Sequence, residues 1–172
     1  LVGSVIGSNL SSRSSRRRPN NFDKQVAFFA ALFACLAKIA KADGRVDESE
    51  VNKIEEIIST KLNLKGEHRK FAINIFQKAK DDNVSFEAYA SNLYQILSSS
   101  PNSLLVFYEM LFELALADGN LHPNEDDLLK KIPRIFKFDN KVYQSLYEKY
   151  VDQTKNYFKT LGVSESSSFA DI

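Results

Sequence analysis

The sequence has little of the chemistry on which enzymes usually depend. Its 172 residues include a single cysteine, Cys35, only two histidines and no tryptophan. One cysteine excludes an intrachain disulfide framework and a C-x-x-C pair, and neither an H-E-x-x-H motif nor a glycine-rich phosphate loop is present. Nucleophilic catalysis requires a base beside a nucleophile, which the two histidines do not supply. We therefore predict that the chain is not an enzyme.

Excess charge and long apolar runs are also absent. The formal net charge is only +1, so no basic excess favours nucleic acid as a partner. No apolar run reaches the ~20 residues that a membrane-spanning helix needs, and no segment keeps the two-residue alternation of a β-strand. The chain does contain 44% hydrophobic residues, including 13 Phe and seven Tyr, which is enough to bury a core.

Apolar residues recur at three- and four-residue steps through residues 22–153, a spacing typical of amphipathic helices. The pattern predicts an all-α fold, a single bundle of about seven helices. The predicted helices cover approximately residues 22–41, 48–62, 66–80, 86–97, 103–116, 123–136 and 140–151. Pro133 should kink or end the sixth helix near Ile132. The fifth is apolar on most sides, and we expect the first and fifth helices to lie at the centre.

One motif occurs twice, with an offset of 75 residues (118 − 43). The first copy, residues 40–50, reads A-K-A-D-G-R-V-D-E-S-E, and the second, residues 115–125, reads A-L-A-D-G-N-L-H-P-N-E. A helical pattern precedes and follows each copy, so each is predicted to be a corner between two helices. Two copies indicate two similar halves of the bundle, related by a pseudo-two-fold axis.

Helix capping accounts for most of each corner. Gly44 and Gly119 suit the left-handed position that ends a helix. Asp47 is predicted to be the N-cap of the next helix and to form a capping box with Glu50. In the second copy, Glu125 takes the place of Glu50.

Asp43 and Asp118 are not explained by these caps. Both are predicted to sit at the C-terminal end of a helix, where the macrodipole disfavours an anion. Either they turn forward to accept amide hydrogen bonds from the next helix, or they hold a cation. Oxygen ligands favour a hard cation such as calcium, although the D-x-D-x-D-G ladder of an EF-hand is missing.

The paired A-x-A-D-G corners inside an all-helical pattern resemble the TerB-like domain, and most of all its version in DjlA-type membrane-anchored J-domain co-chaperones. The resemblance covers about residues 22–150. TerB-like domains carry acidic residues at these corners and have been thought to bind metal. His122 stands at the counterpart of Asp47, so the second corner has one carboxylate fewer. The matching positions, which the resemblance implies as metal ligands, are Asp43, Asp47, Glu50, Asp118 and Glu125.

Residues 1–21 match the end of a membrane span followed by a basic linker in that family layout. Gly3 and Gly7 form G-x-x-x-G, a close-approach motif of membrane helices that would favour dimerisation, although two glycines in a flexible tail would look the same. Four arginines follow, and basic residues after a span indicate its cytoplasmic side. As a soluble piece, this stretch would be a solvated linker.

Residues 154–172 are interpreted as a linker and the start of a J-domain. Within them, Y-F-K-T-L-G-V-S-E-S-S-S at residues 157–168 resembles the opening of that domain. The His-Pro-Asp loop with which J-domains stimulate DnaK-type ATPases would lie beyond residue 172. The His-Pro-Asn sequence at residues 122–124 belongs to the second corner, and we interpret it as the start of a helix.

The resemblance implies a cytosolic interaction or regulatory domain of a bacterial inner-membrane J-domain co-chaperone. Its partners would be a DnaK-type chaperone, recruited through the J-domain, and an unknown protein client or partner of the helical body. The span would anchor it in the inner membrane and could support a homodimer. The alternative is a metal-responsive TerB-like stress-resistance protein that binds a divalent cation, such as calcium, at the two corners.

Overall fold

The computed structural model describes residues 21–152, where the apolar pattern forms eight α-helices. They are α1 (Asn21–Ala40), α2 (Glu48–Glu56), α3 (Gly66–Ala79), α4 (Phe86–Leu97), α5 (Pro101–Ala115), α6 (Pro123–Leu129), α7 (Ile132–Phe136) and α8 (Lys141–Tyr147). One π-helical turn, Ile57–Lys61, extends α2, and another, Glu148–Asp152, extends α8. Residues 21–152 contain no β-strand, so the predicted all-α bundle is confirmed.

Predictions for the two ends of the chain lie outside the described residues. They concern residues 1–20, with Gly3 and Gly7, and residues 153–172, with the J-domain-like opening. Within the described part, no helix combines the length and the apolar character needed to cross a bilayer.

The predicted sixth helix is divided in two by Pro133. Helix α6 ends at Leu129 and α7 begins at Ile132, with Pro133 in the first turn of α7. A proline is tolerated there because the first N–H groups of a helix have no intrahelical acceptor. The proline therefore starts a short helix, which explains why eight helices are seen where about seven were expected.

Helices α1 and α5 lie at the centre, as expected. Helix α1 packs against α3, α4 and α5, and α5 packs in addition against α2, α6 and α8. The largest fully buried side chains include Leu32, Phe33 and Leu36 of α1 and Tyr108 and Phe112 of α5. Burying one such apolar side chain contributes about 1.5–3 kcal/mol, so these two helices supply a large part of the hydrophobic driving force.

Val51 of α2 does not lie on the buried face of its helix. Its side chain is 48% exposed, whereas Ile54 and Ile58 of the same segment are buried. The neighbouring Glu50 is turned towards the interior instead and is only 7% exposed. The first turn of α2 is therefore oriented by its helix cap and not by its apolar periodicity.

A buried hydroxyl joins α5 to the end of α6. The Tyr108 hydroxyl donates to the Leu129 carbonyl oxygen at 2.7 Å. Tyr108→Phe removes this donor from a buried carbonyl, so we expect the free energy of unfolding to fall by about 1–2 kcal/mol. Urea denaturation followed by circular dichroism measures the change. Tyr147→Phe is the control, since the structure gives the Tyr147 hydroxyl no hydrogen bond among the described residues; an equal loss in both variants would contradict the assignment.

Candidate functional site

Both A-D-G corners turn through a glycine in the left-handed region. The φ angle is +103° at Gly44 and +91° at Gly119. Side chains with a Cβ rarely adopt such angles, so the prediction for both glycines is confirmed. The first corner carries the chain from α1 to α2, and the second carries it from α5 to α6.

The two unexplained aspartates close these turns. Asp43 Oδ1 accepts a hydrogen bond from the Arg45 amide at 3.1 Å, and Asp118 Oδ1 accepts one from the Asn120 amide at 2.9 Å. Both aspartates therefore accept amide hydrogen bonds, but the prediction that the next helix supplies the donors is wrong. Their donors lie two residues on, inside the turn, and not in the next helix, which is the geometry of an Asx turn.

Reciprocal capping begins α2, and half of the same arrangement begins α6. The Glu50 amide donates to Asp47 Oδ1 at 2.8 Å, while the Asp47 amide donates to Glu50 Oε2 at 2.9 Å. This confirms the predicted capping box. At α6 the His122 amide donates to Glu125 Oε2 at 3.1 Å, so Glu125 has the role of Glu50.

The imidazole of His122 pairs within its own corner. Its Nε2 lies 3.1 Å from Asp118 Oδ2. The side chain that replaces a carboxylate in the second corner therefore contacts one of the remaining carboxylates.

The fold brings the two corners into contact. Asn124 Nδ2 donates to the Ala42 carbonyl oxygen at 3.0 Å, across 82 residues of sequence. All the predicted acidic residues line one cavity of about 10 Å³, close to the size of one water-sized sphere. They are Asp43, Asp47, Glu50, Asp118 and Glu125, and His122 lines the same cavity. We call these six residues the acidic cluster.

Two glutamates of the acidic cluster are buried. Glu50 is 7% exposed and Glu125 is 3% exposed. Burial raises the pKa of Glu50 to about 7. The hydrogen bond from the Asp47 amide lowers this pKa, while repulsion from the Asp47 and Asp43 carboxylates raises it further. Burial likewise raises the pKa of Glu125 to about 8, and the Glu50 carboxylate adds to the rise. The pair therefore holds protons close to neutral pH.

Cation binding at the acidic cluster stays a prediction. Among residues 21–152, no group of three or more His, Cys, Asp or Glu side chains is arranged to hold a metal ion. The carboxylate oxygens of Asp43, Asp47, Glu50 and Glu125 accept backbone amide hydrogen bonds instead. Capping and coordination would compete for the same oxygens.

Cys35 offers no reactive thiol. Its side chain is fully buried in α1, and burial raises the pKa of the thiol. Because the thiolate is the nucleophilic form, this cysteine belongs to the core, as its apolar surroundings in the sequence indicate.

Among residues 21–152, the larger cavities on the surface of the bundle include the following two. One, of about 580 Å³, is lined by alanines of α1 together with α3 and α4. The other, of about 450 Å³, lies among α1, the end of the π-helical turn after α2, α4 and α5, and we call it the apolar groove. Its lining includes Phe28, Leu62, Leu97, Val106, Phe107 and Met110. Because four separate elements build it, no short sequence motif points to it.

Comparison with known proteins identifies the helical body. The family model described as tellurite resistance protein TerB matches residues 29–147, more than half of the chain. The chain belongs to the TerB family. No solved structure gives a significant match.

Curated relatives carry the name co-chaperone protein DjlA. The relative from Photobacterium profundum is 30% identical over 179 residues, which cover 90% of this chain and 64% of the relative. The relative from Escherichia coli (strain K12) is 29% identical over 132 residues, with 75% of this chain and 48% of the relative covered. The relative from Vibrio parahaemolyticus is 30% identical over 122 residues, with 71% of this chain and 43% of the relative covered. The chain thus spans about half the length of these relatives.

These matches confirm a TerB-like domain of the DjlA type. The relatives are named as co-chaperones, which is a non-enzymatic role, and the absence of enzymatic activity in this chain stays a prediction. The names of the relatives do not favour the alternative of a metal-responsive stress-resistance protein.

The raised pKa of Glu125 makes stability depend on pH. In the folded protein this pKa is about 8, above the ordinary value of 4.5, so the folded protein binds more protons than the unfolded chain between those values. Stability should fall as pH rises through this window. Glu125→Gln keeps a carbonyl acceptor and removes the charge, so we expect it to be about 1–3 kcal/mol more stable than wild type at pH 9. Thermal melts from pH 5 to pH 9 measure this.

Glu48→Gln is the matched control for this variant. Glu48 lies in the first turn of α2 near the acidic cluster, but it is exposed, so its substitution should leave the pH profile unchanged. An unaltered profile in Glu125→Gln as well would show that the buried carboxyl does not titrate in this range.

The predicted cation site has a separate signature. A cation must displace the protons of Glu50 and Glu125, so calcium should raise the melting temperature more at pH 8.5 than at pH 6. In the Glu50→Gln, Glu125→Gln double variant, calcium should leave the melting temperature unchanged. Melts with millimolar calcium or with a chelator test this. The absence of a calcium-dependent shift at both pH values would remove the cation hypothesis.

Proposed function

We propose that this TerB domain is the cytosolic interaction or regulatory segment of a bacterial inner-membrane J-domain co-chaperone. One observation carries the proposal: the similarity to the DjlA co-chaperone of Photobacterium profundum covers 90% of the chain. It therefore extends beyond residues 29–147, which the family model matches. Sequence outside the helical body is thus shared with a protein named as a co-chaperone.

The flanking sequences support a membrane anchor and a J-domain in the whole protein. Residues 1–7 have the composition of the end of a span, with Gly3 and Gly7 placed for contact between two spans. The arginines at residues 13–18 favour the cytoplasmic side for the helical body. Residues 157–168 have the pattern of a J-domain opening, and that domain would recruit a DnaK-type chaperone.

The helical body would bind a protein client or partner or would position the J-domain. Support comes from the apolar groove, where Val106 is 51% exposed. Exposed apolar side chains that border a groove are typical of sites for protein segments. No such surface is needed by a domain that acts only as a spacer.

ATPase stimulation tests the proposed function. The full-length protein, expressed from its gene and inserted in membranes, should accelerate single-turnover ATP hydrolysis by a DnaK-type chaperone. A His→Gln change in the His-Pro-Asp loop expected beyond residue 172 should abolish the acceleration, because that loop stimulates the ATPase in J-domain proteins. Residues 21–152 alone should not stimulate hydrolysis, and they serve as the control.

Two results would contradict the proposal. One is a gene that encodes no span before residue 1 and no His-Pro-Asp loop after residue 172. The other is a full-length protein that leaves the ATPase rate unchanged although its J-domain is folded.

A further inference from the structure

The end of the described chain is packed on α5. Tyr150 stacks on Phe112, with ring centroids 6.1 Å apart, and Lys149 Nζ lies 2.7 Å from Glu109 Oε1. Val151 is 3% exposed. The chain therefore stays in contact with the body up to the last turn before Asp152.

This end lies beside the apolar groove. Glu113, whose carboxylate is approached by the Tyr150 hydroxyl at 3.5 Å, also forms an ion pair with Lys61. Lys61 lines the groove. On α5, the groove residues Val106 and Met110 each lie three residues before an acidic residue that meets the end of the chain, Glu109 and Glu113 respectively, and so share a face with it. The last described turn consequently lies at the edge of the groove.

An apolar stretch follows after a short polar spacer. Residues 153–156 read Q-T-K-N, and Tyr157, Phe158, Leu161 and Val163 come next. Four extended residues reach up to about 13 Å, so the two aromatic residues are within reach of the groove. Each aromatic side chain offers roughly 150–250 Å² of surface for burial.

We propose that residues 157–163 dock in the apolar groove, where Tyr157 and Phe158 cover Val106. The contact would hold the segment that resembles a J-domain opening in a defined position on the TerB domain. It does not rest on chaperone recruitment, because the groove and the exit of the chain are properties of the helical body. Docking can therefore be found in a protein that does not stimulate the ATPase, and stimulation can be found in a protein without docking.

Limited trypsin digestion of the 172-residue chain tests the docking. Trypsin cuts after Lys155 and Lys159, and cleavage after Arg13 and Arg16 provides an internal reference. We expect the two lysine sites to be cut more slowly than the arginine sites. Val106→Gln should speed cleavage at the lysine sites about tenfold, the ratio expected when a contact the size of one buried valine is lost. Mass spectrometry of timed samples gives both rates.

Two further variants serve as a matched control and as a test of the proposed occupant. Val51→Gln makes the same change at a valine that is 48% exposed, close to the 51% of Val106, and it should leave the rates unchanged. A Tyr157→Ser, Phe158→Ser double variant alters only the proposed occupant, outside the helical body. It should speed cleavage at the lysine sites as much as Val106→Gln does, and circular dichroism confirms that each variant is folded.

Three results would overturn the proposal. The first is cleavage at Lys155 and Lys159 as fast as at Arg16 in the wild-type chain, with no effect of Val106→Gln. The second is protection that increases with protein concentration, which would place the segment of a second copy in the groove. The third is a Val106→Gln effect on the arginine sites alone, which would make residues 1–20 the occupant.

Discussion

Two carboxyl groups buried between the helix corners constrain the whole arrangement. Glu50 caps α2 and Glu125 caps α6, and these helices follow the two central helices of the bundle. A helix N-terminus favours a nearby negative charge, but two ionised carboxylates in one small buried cavity repel each other strongly. Burial raises the pKa of both groups and repulsion from neighbouring carboxylates adds to the rise, so a bound proton lowers the cost of burying them. The contact between the corners is thus tied to the charge at their centre.

The buried carboxyl groups lie next to the C-terminal end of α5, while the apolar groove is lined by the N-terminal part of the same helix. The second corner follows Ala115, and the groove is lined by α5 residues from Asn102 to Met110. Helix α1 likewise contributes Phe28 and Leu32 to the groove and leads into the first corner. The same two buried helices therefore hold the corners together and set the walls of the groove.

Local interactions could be predicted from the sequence, and long-range ones could not. Asp47 and Glu50 are three residues apart, so their capping box follows from helix geometry, and the glycine turns follow from conformational preference. The hydrogen bond from Asn124 to Ala42 spans 82 residues, and no spacing rule reaches that far. The protonation of Glu50 and Glu125 depends on the same long-range contact between the two corners. The sequence therefore identified these carboxylates as site residues but did not predict their raised pKa values.

The acidic cluster and the groove are suited to different tasks. The cluster cavity, of about 10 Å³, has room for little more than a single small species, and most of its carboxylates already hold backbone amides. A protein segment requires apolar contact area and room for side chains, which the groove of about 450 Å³ offers. A proton bound between the corners stabilises the frame without occupying that surface. The groove is therefore suited to a protein segment, and the matching geometry of the two repeated corners is explained by the stability of the bundle.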